Sequence, residues 1–362
     1  MISSFQEATP QWLTTTLQAS GVLSEGSVVA AELRANDAFN STISHLTLQY
    51  SADAPADLPT HLLLKLNRDH YGEGEIPFYQ AAMRQRPPNT ARCFAAEYDA
   101  ASGESYLLLE DLSKTHVTPV NRQQVLALQA VPDEQQLNGM IDALAAFHAY
   151  WWEHEQLGKT FIVRPWYTDV EHYQRHIERR QREWAKFAKA VGDEIPNDMM
   201  AIYEKTLAKL PQLWDAFLET RITALKNITL TNGDCYFAQF LCPKPNVNAP
   251  AYLIDFQDAT ANFGPYDLVY MFATFWTAEQ RSANGRERKL LKRYHQALVN
   301  KGVQDYSLDE MLTDYRFMIV LMIFDAVFNA TSGSTKDYWM PKMQCLISAY
   351  NDWDCGNLID RL

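Results

Sequence analysis

Residues 230–268 read LTNGDCYFAQFLCPKPNVNAPAYLIDFQDATANFGPYDL, and the fold of the chain turns on how this stretch is read. Two carboxylates, Asp234 and Asp255, stand in it 21 positions apart. Asp234 lies in the polar loop Asn232-Gly233-Asp234, which follows the apolar residues 228–230. Asp255 ends the run Ala251-Tyr252-Leu253-Ile254, which has the pattern of a short buried strand. Between them, 235–242 is mostly apolar and 243–250 is rich in Pro and Asn, so a strand, a turn and a returning strand are expected. Such a hairpin brings its ends together and is expected to turn both carboxylates towards one cleft. Two carboxylates so placed suit phosphoryl transfer: one accepts the proton of an attacking hydroxyl, and the other holds the Mg²⁺ that neutralises nucleotide phosphates. Each carboxylate also has a plainer explanation, a loop capped by Asp and a strand that ends on Asp.

The composition narrows the classes. A chain of 362 residues, 47% of them hydrophobic, has ample material for a full core and is expected to form two lobes around one cleft. A formal net charge of −12 argues against a nucleic acid or an anionic membrane as partner, since phosphates require a basic face. The five cysteines show no C-x-x-C and no regular spacing, so free thiols in a reducing compartment are expected. No charged N-terminal region followed by an apolar stretch is visible. The most apolar run, 317–328, is short and interrupted by Asp325. The expectation is a soluble cytoplasmic protein, monomer or homodimer, with no membrane and no nucleic-acid partner.

Upstream of the hairpin, residues 9–20 carry a short helix pattern, with Pro10 in the first turn and Gly21 just past the end. Residues 28–33 and 43–50 read as strands. The connection 34–42 has no glycine; its amides with the Ser41 and Thr42 hydroxyls are candidates for meeting a phosphate, and an ordinary hairpin turn explains them equally. The stretch 61–66, HLLLKL, reads as a buried strand, on which Lys65 is costly unless paired. Glu75 lies at the start of a short helix, 74–83, with Phe78, Tyr79 and Met83 towards the core. A surface Lys and an unrelated Glu is the alternative. Gly72 and Gly74 are no dinucleotide fingerprint, because residue 77 is Pro and no strand leads directly into them. Residues 105–109, SYLLL, form another buried strand that runs into Glu110-Asp111-Leu112.

From Asp133 onward the pattern is helical apart from the hairpin. His148 is expected in the core. His172 and His176 stand at i and i+4 on a polar helix, 168–190, with no third ligand suggested, so a solvated helix face is expected. Asn197 is a candidate N-cap for a helix over 197–218. Residues 266–277 read as a buried helix, and Trp339 and Trp353 as core residues.

In order and approximate spacing these elements resemble the aminoglycoside-phosphotransferase and choline-kinase-like superfamily, most closely its ecdysteroid-kinase-like branch. The signature there runs H-G-D-x-x-x-x-N, then I-D-[FW]-[QE], then P-x-x-D-L. This chain has Asn232-Gly233-Asp234 with Gln239, then Ile254-Asp255-Phe256-Gln257, then Pro265-Tyr266-Asp267-Leu268, one residue shorter. Asn232 and Gln239 replace the His and the Asn. The resemblance implies an α+β, two-lobed, protein-kinase-like fold. Its small N-terminal nucleotide-binding lobe, 1–112, would carry an antiparallel sheet, and its larger helical lobe, 113–362, the catalytic and substrate-binding parts. ATP and Mg²⁺ are the implied cofactors, and a hydroxyl of a small molecule the implied acceptor. Asp234 would be the catalytic base, Gln239 and Asp255 the metal ligands, and Lys65 the phosphate contact that Glu75 holds in place. Ser41 and Thr42 would lie over the phosphates, and Glu110-Asp111-Leu112 would form the hinge whose backbone meets adenine. Asp267 would accept backbone N–H groups from the catalytic loop, and Asn232 would prop that loop. Two other functions stay open. The glycine-poor connection, the absent His and the Gln at a metal position suit a nucleotide-binding pseudokinase with a regulatory or scaffold role. The acidic net charge accords with an aminoglycoside-type antibiotic phosphotransferase.

Overall fold

The computed structural model describes residues 1–37, 41–67, 72–129 and 131–362. The chain divides into two units, Met1–Val117 with Leu241–Ala259, and Thr118–Phe240 with Thr260–Leu362. The expected division, 1–112 and 113–362, cuts the chain once; the units also assign 241–259 to the first.

The first unit begins with helix α1 (Pro10–Ala19). Thr9 Oγ1 accepts the Trp12 N–H at 3.2 Å, and Pro10 takes the first helical position, where a missing N–H costs nothing. Five strands follow, β1 (Val28–Asp37), β2 (Ser41–Tyr50), β3 (His61–Asn67), β4 (Cys93–Tyr98) and β5 (Ser105–Glu110). They form an antiparallel sheet in the order β1-β2-β3-β5-β4. Leu62, Leu64 and Leu66 of β3 share one core with Leu13 and Leu17 of α1, Leu46 and Leu48 of β2 and Leu108 of β5. Side chains alternate along a strand, so this burial turns Lys65 to the opposite face, across from Leu107 of β5. Helix α2 (Gly72–Gln85) packs against β4 and β5. It is longer than expected; Phe78 and Tyr79 are buried, and Met83 is half-buried.

The β1–β2 ladder also runs further than expected, to the pair Asp37 and Thr42. Ser41 and Thr42 are therefore strand residues, and they pair with Asn67 and Leu66 of β3. Residues 38–40 of the expected connection lie outside the described residues.

Further strands are short: β6 (His116–Val117), β7 (Thr229–Thr231), β8 (Phe240–Pro243), β9 (Tyr252–Leu253) and β10 (Thr260–Asn262). β6, β8 and β9 form one small sheet, and β7 with β10 another. The apolar stretch expected as one strand is a 3-10 turn, Phe237–Gln239, followed by β8.

The second unit is helical around the β7–β10 pair. Asp133 and Gln136 close a reciprocal capping box on the helix Glu134–Tyr150. The cap expected from Asn197 is not made: Pro196 stands at the N-cap, and Asn197 is the first helical residue. Nearly every residue of the helix Pro265–Phe275 is buried, as are Trp339 and Trp353. His172 is exposed on the helix Val170–Val191, whereas His176 is not on a solvated face. It is buried and stacks on Trp166 at 5.3 Å. Burial, reinforced by Arg180 and Arg179, pushes its pKa down to about 2. All five cysteines are buried. Among the described residues no helix is long and apolar enough to cross a membrane. The architecture is the expected α+β, kinase-like one, an antiparallel sheet in one unit and helices in the other.

One close approach in the first unit admits only glycine. A Cβ on Gly74 of α2 would lie 2.0 Å from the carbonyl oxygen of Gln257. Gly74→Ala should therefore cost about 1–3 kcal/mol, as overpacked sites do, read as a lower urea midpoint at unchanged slope. An unchanged midpoint would contradict this packing.

Candidate active site

In the first unit, β3 and α2 deliver opposite charges to each other. Lys65 Nζ donates to Glu75 Oε2 at 2.8 Å and to Asp255 Oδ1 at 3.1 Å. Asn67, two residues along β3 and so on the same face, donates to that Glu75 oxygen at 3.2 Å and to Ser105 Oγ at 3.2 Å. The side chains of Lys65 and Glu75 are only 14% and 2% exposed, while Asp255 is 28% exposed. Burial opposes the charge on Lys65, but Glu75 and Asp255 outweigh it and hold its pKa above the ordinary 10.5. For Glu75, burial outweighs the attraction of Lys65, so its pKa is raised above 4.5. The backbone at Asp255 is left-handed, with φ 61°. Next to it, Phe256 stacks on Phe78 of α2 with ring centroids 3.7 Å apart.

The expected hinge is likewise committed by local bonds. Asp111 Oδ2 lies 2.7 Å from His45 Nδ1, and Oδ1 accepts the Ser113 N–H at 2.8 Å. Burial works against the Asp111 charge, yet Ser113 and His45 prevail and lower its pKa. Glu110 donates its N–H to the Arg92 carbonyl at 2.8 Å, and Leu112 is buried.

The second unit holds Asp234. Asp267, in the first turn of the helix Pro265–Phe275, accepts the N–H of Asn232 at 2.8 Å and of Gly233 at 3.0 Å. Its Oδ2 also lies 3.1 Å from His148 Nε2, and His148 Nδ1 lies 2.7 Å from Tyr294 Oη. A carboxylate only accepts, so His148 presents an N–H to it from Nε2. Gly264 leaves room for the contact between His148 and Tyr294, since a Cβ there would stand 2.4 Å from Tyr294 Oη. Asn232 Oδ1 accepts the Asp234 N–H at 3.3 Å, which braces the loop from within.

Asp234 itself is half-buried. Tyr270 Oη donates to its Oδ1 at 2.6 Å, and Gln239 Nε2 donates to its Oδ2 at 3.2 Å. The bond from Tyr270 shows that this carboxylate can take a hydroxyl proton donor at close range. Because Gln239 must present its NH₂ to a carboxylate, its amide oxygen points away from Asp234. That oxygen and the Asp255 carboxylate are hard donors of the kind Mg²⁺ takes. Among the described residues no group of three or more His, Cys, Asp and Glu could hold a metal ion. Cys235, next to Asp234, is a poor nucleophile: burial, then the charges of Asp267 and Asp234, push its thiol pKa well up.

Several members of these clusters were not expected from sequence. Asn67 is recoverable by period two from Lys65, and Tyr270 by one helical turn from Asp267. His45, Ser105 and Tyr294 meet their partners only through tertiary structure.

Known proteins give the geometry a context. Residues 75–304 match the sequence model described as the Ecdysteroid kinase-like family. No curated protein sequence matches the chain. Among solved structures, a choline kinase from Cryptosporidium parvum Iowa II is similar, with a TM-score of 0.54 at 11% identity over 91% of this chain and 90% of that one. An ethanolamine kinase from Plasmodium vivax gives 0.52 at 11% identity over 90% of this chain and 84% of that one. At such identities the likeness is one of fold.

The charge cluster makes stability depend on pH in a defined direction. A carboxyl whose folded pKa lies above 4.5 contributes stability fully below 4.5 and loses it as pH rises through the folded value. Lys65, held above 10.5, contributes fully below 10.5 and loses it only as pH rises through its folded value. Lys65→Met leaves Glu75 buried without its cation and should cost about 3–5 kcal/mol at mildly alkaline pH. Acidification towards 4.5 should recover part of this as Glu75 takes up a proton. Thermal unfolding across that range checks it; a loss that does not vary with pH would contradict the assignment.

Proposed function

Because this chain belongs to the ecdysteroid kinase-like family, we propose that it moves the γ-phosphoryl group of ATP to a hydroxyl of a small molecule, with Mg²⁺ as the metal. The observation that carries this reading is the buried Lys65 ammonium, 2.8 Å from Glu75 and 3.1 Å from Asp255. A cation so fixed is available to phosphate oxygens, and a partly exposed carboxylate beside it is available to a metal.

Bound ATP with Mg²⁺ supplies an activated phosphoryl group with part of its charge neutralised. Lys65 binds phosphate oxygens, and Glu75 keeps the ammonium aimed. Asp255 is the metal ligand assigned to the first unit, and Gln239, through its amide oxygen, the one assigned to the second. Ser41 and Thr42 of β2, with the backbone of Glu110, Asp111 and Leu112, complete the nucleotide's surroundings. Asp234 orients the acceptor hydroxyl and takes its proton. Asp267, Asn232 and Tyr270 hold that base still. Positioning and charge complementarity then do most of the catalysis.

A second reading, a nucleotide-binding pseudokinase, draws on Gln239. Its amide is bonded to Asp234 at 3.2 Å, so the metal ligand and the base of the proposed reaction brace each other.

Asp234→Asn should lower transfer by ~10²–10⁴-fold, the usual effect of removing a positioned base. Nucleotide affinity should hardly change, since the base acts on the acceptor. ADP release across a panel of small alcohols, with calorimetric nucleotide binding, checks both halves. Turnover above about a tenth of wild type would contradict the role given to Asp234.

A further inference from the structure

Lys342, on the helix Lys336–Asp352, is a second buried ammonium in the second unit, 6% exposed. Among the described residues it makes no ion pair. Its Nζ donates to Tyr338 Oη at 2.7 Å and lies 3.9 Å from the Tyr338 ring centroid and 5.0 Å from that of Phe275. Phe275 packs edge-on against Tyr270 at 5.6 Å, and Tyr270 Oη donates to Asp234 at 2.6 Å. Base and ammonium therefore stand at the two ends of one aromatic wall. Asp325, a carboxyl on which Lys342 acts electrostatically, is already engaged by Arg180 at 3.1 Å.

Among the described residues, ring faces and one hydroxyl leave this ammonium without a hydrogen-bonded anionic oxygen. An anionic oxygen brought by a ligand would supply one and use donors that Tyr338 leaves over, since an ammonium has three.

We propose that the acceptor alcohol carries a carboxylate, which Lys342 binds, on an apolar body that lies along Phe275 and Tyr270. Lys342 is then the residue that sets acceptor specificity. It selects hydroxy acids and rejects amino alcohols, whose cation it would repel. The proposal rests on the reading of Asp234 as the base.

A matched pair of probes tests it: para-(hydroxymethyl)benzoate and para-(hydroxymethyl)benzylamine share one body and differ in charge. Their binding to the full chain is measured by calorimetry, and their phosphorylation with Mg²⁺ and ATP separately. The benzoate should bind about tenfold or more tightly than the amine, the scale of a hydrogen bond between charged groups. Lys342→Met should abolish that preference, and Lys342→Arg, which keeps the charge, should retain it. Equal binding of the two probes to wild type, no binding of the benzoate, or a preference untouched by Lys342→Met would overturn the proposal. Lys342-dependent binding of the benzoate without phosphorylation would leave the proposal standing and count against the phosphotransferase reading. Phosphorylation of the amine in preference to the benzoate would do the reverse.

Discussion

A lysine ammonium buried on a sheet needs counter-charge, and Lys65 draws it from two separate parts of the chain, Glu75 on α2 and Asp255 after β9. Much of the first unit's local structure follows from that need. The leucines at 62, 64 and 66 claim one face of β3 for the core with α1 and leave the other to Lys65. Helix α2 must then come close enough for Glu75 to reach. Three contacts hold it there: the Phe78–Phe256 stack, the glycine at 74 against the Gln257 carbonyl, and the Asn67 bond to Glu75. The same segment, 255–257, supplies the stack, the carbonyl and the second carboxylate. A change that loosens α2 therefore disturbs the charge cluster as well.

The second unit solves a different problem, that of holding a carboxylate on a loop. The loop that carries Asp234 is anchored by Asp267 through two backbone N–H groups, and Asp267 is oriented by His148 and Tyr294. All of this is buried and made of groups whose hydrogen bonds are matched donor to acceptor, which is how a polar network inside a protein stays single-valued. Asn232 takes the position of the signature's histidine. Its amide oxygen accepts the Asp234 N–H, a role for which a compact acceptor suffices.

Legibility in the sequence followed the range of the interactions. Lys65 and Asp255 could be singled out because a charge in an apolar strand, or at its end, stands out within a few residues, and Glu75 and Asp234 because they stand at motif positions of the resembled superfamily. The helix caps at Thr9 and Asp133 are local too, and α1 begins where the sequence suggests. Where the local pattern was ambiguous the reading fell short. The apolar 235–242 is mostly buried, with only Ala238 and Leu241 partly exposed, so periodicity does not separate a strand from the 3-10 turn within it. β4, CFAAEY, has two alanines at its centre and too little alternation to announce itself. β1 continues through Arg34 and Asp37 because it pairs along β2, at the edge of the sheet, where polar residues are tolerated. His176 lies on a charged helix, and its burial against Trp166 has no local sign. Lys342 gave little local sign, since of its aromatic neighbours only Tyr338 is near it in sequence.

In the proposed reaction, what would separate a working phosphotransferase from a protein that only binds nucleotide is the metal site, and Gln239 would be its most sensitive member. Gln has the amide oxygen of Asn on a side chain one methylene longer, and Mg²⁺ tolerates departures from octahedral geometry poorly. The most direct measurement is a titration of Mg²⁺ and Mn²⁺ against ATP turnover in wild type and Gln239→Asn. The account predicts turnover in both, a lower magnesium requirement in the Asn variant, and a wild type that favours the more adaptable Mn²⁺. Nucleotide binding without hydrolysis or transfer in either form, at any metal concentration, would contradict it.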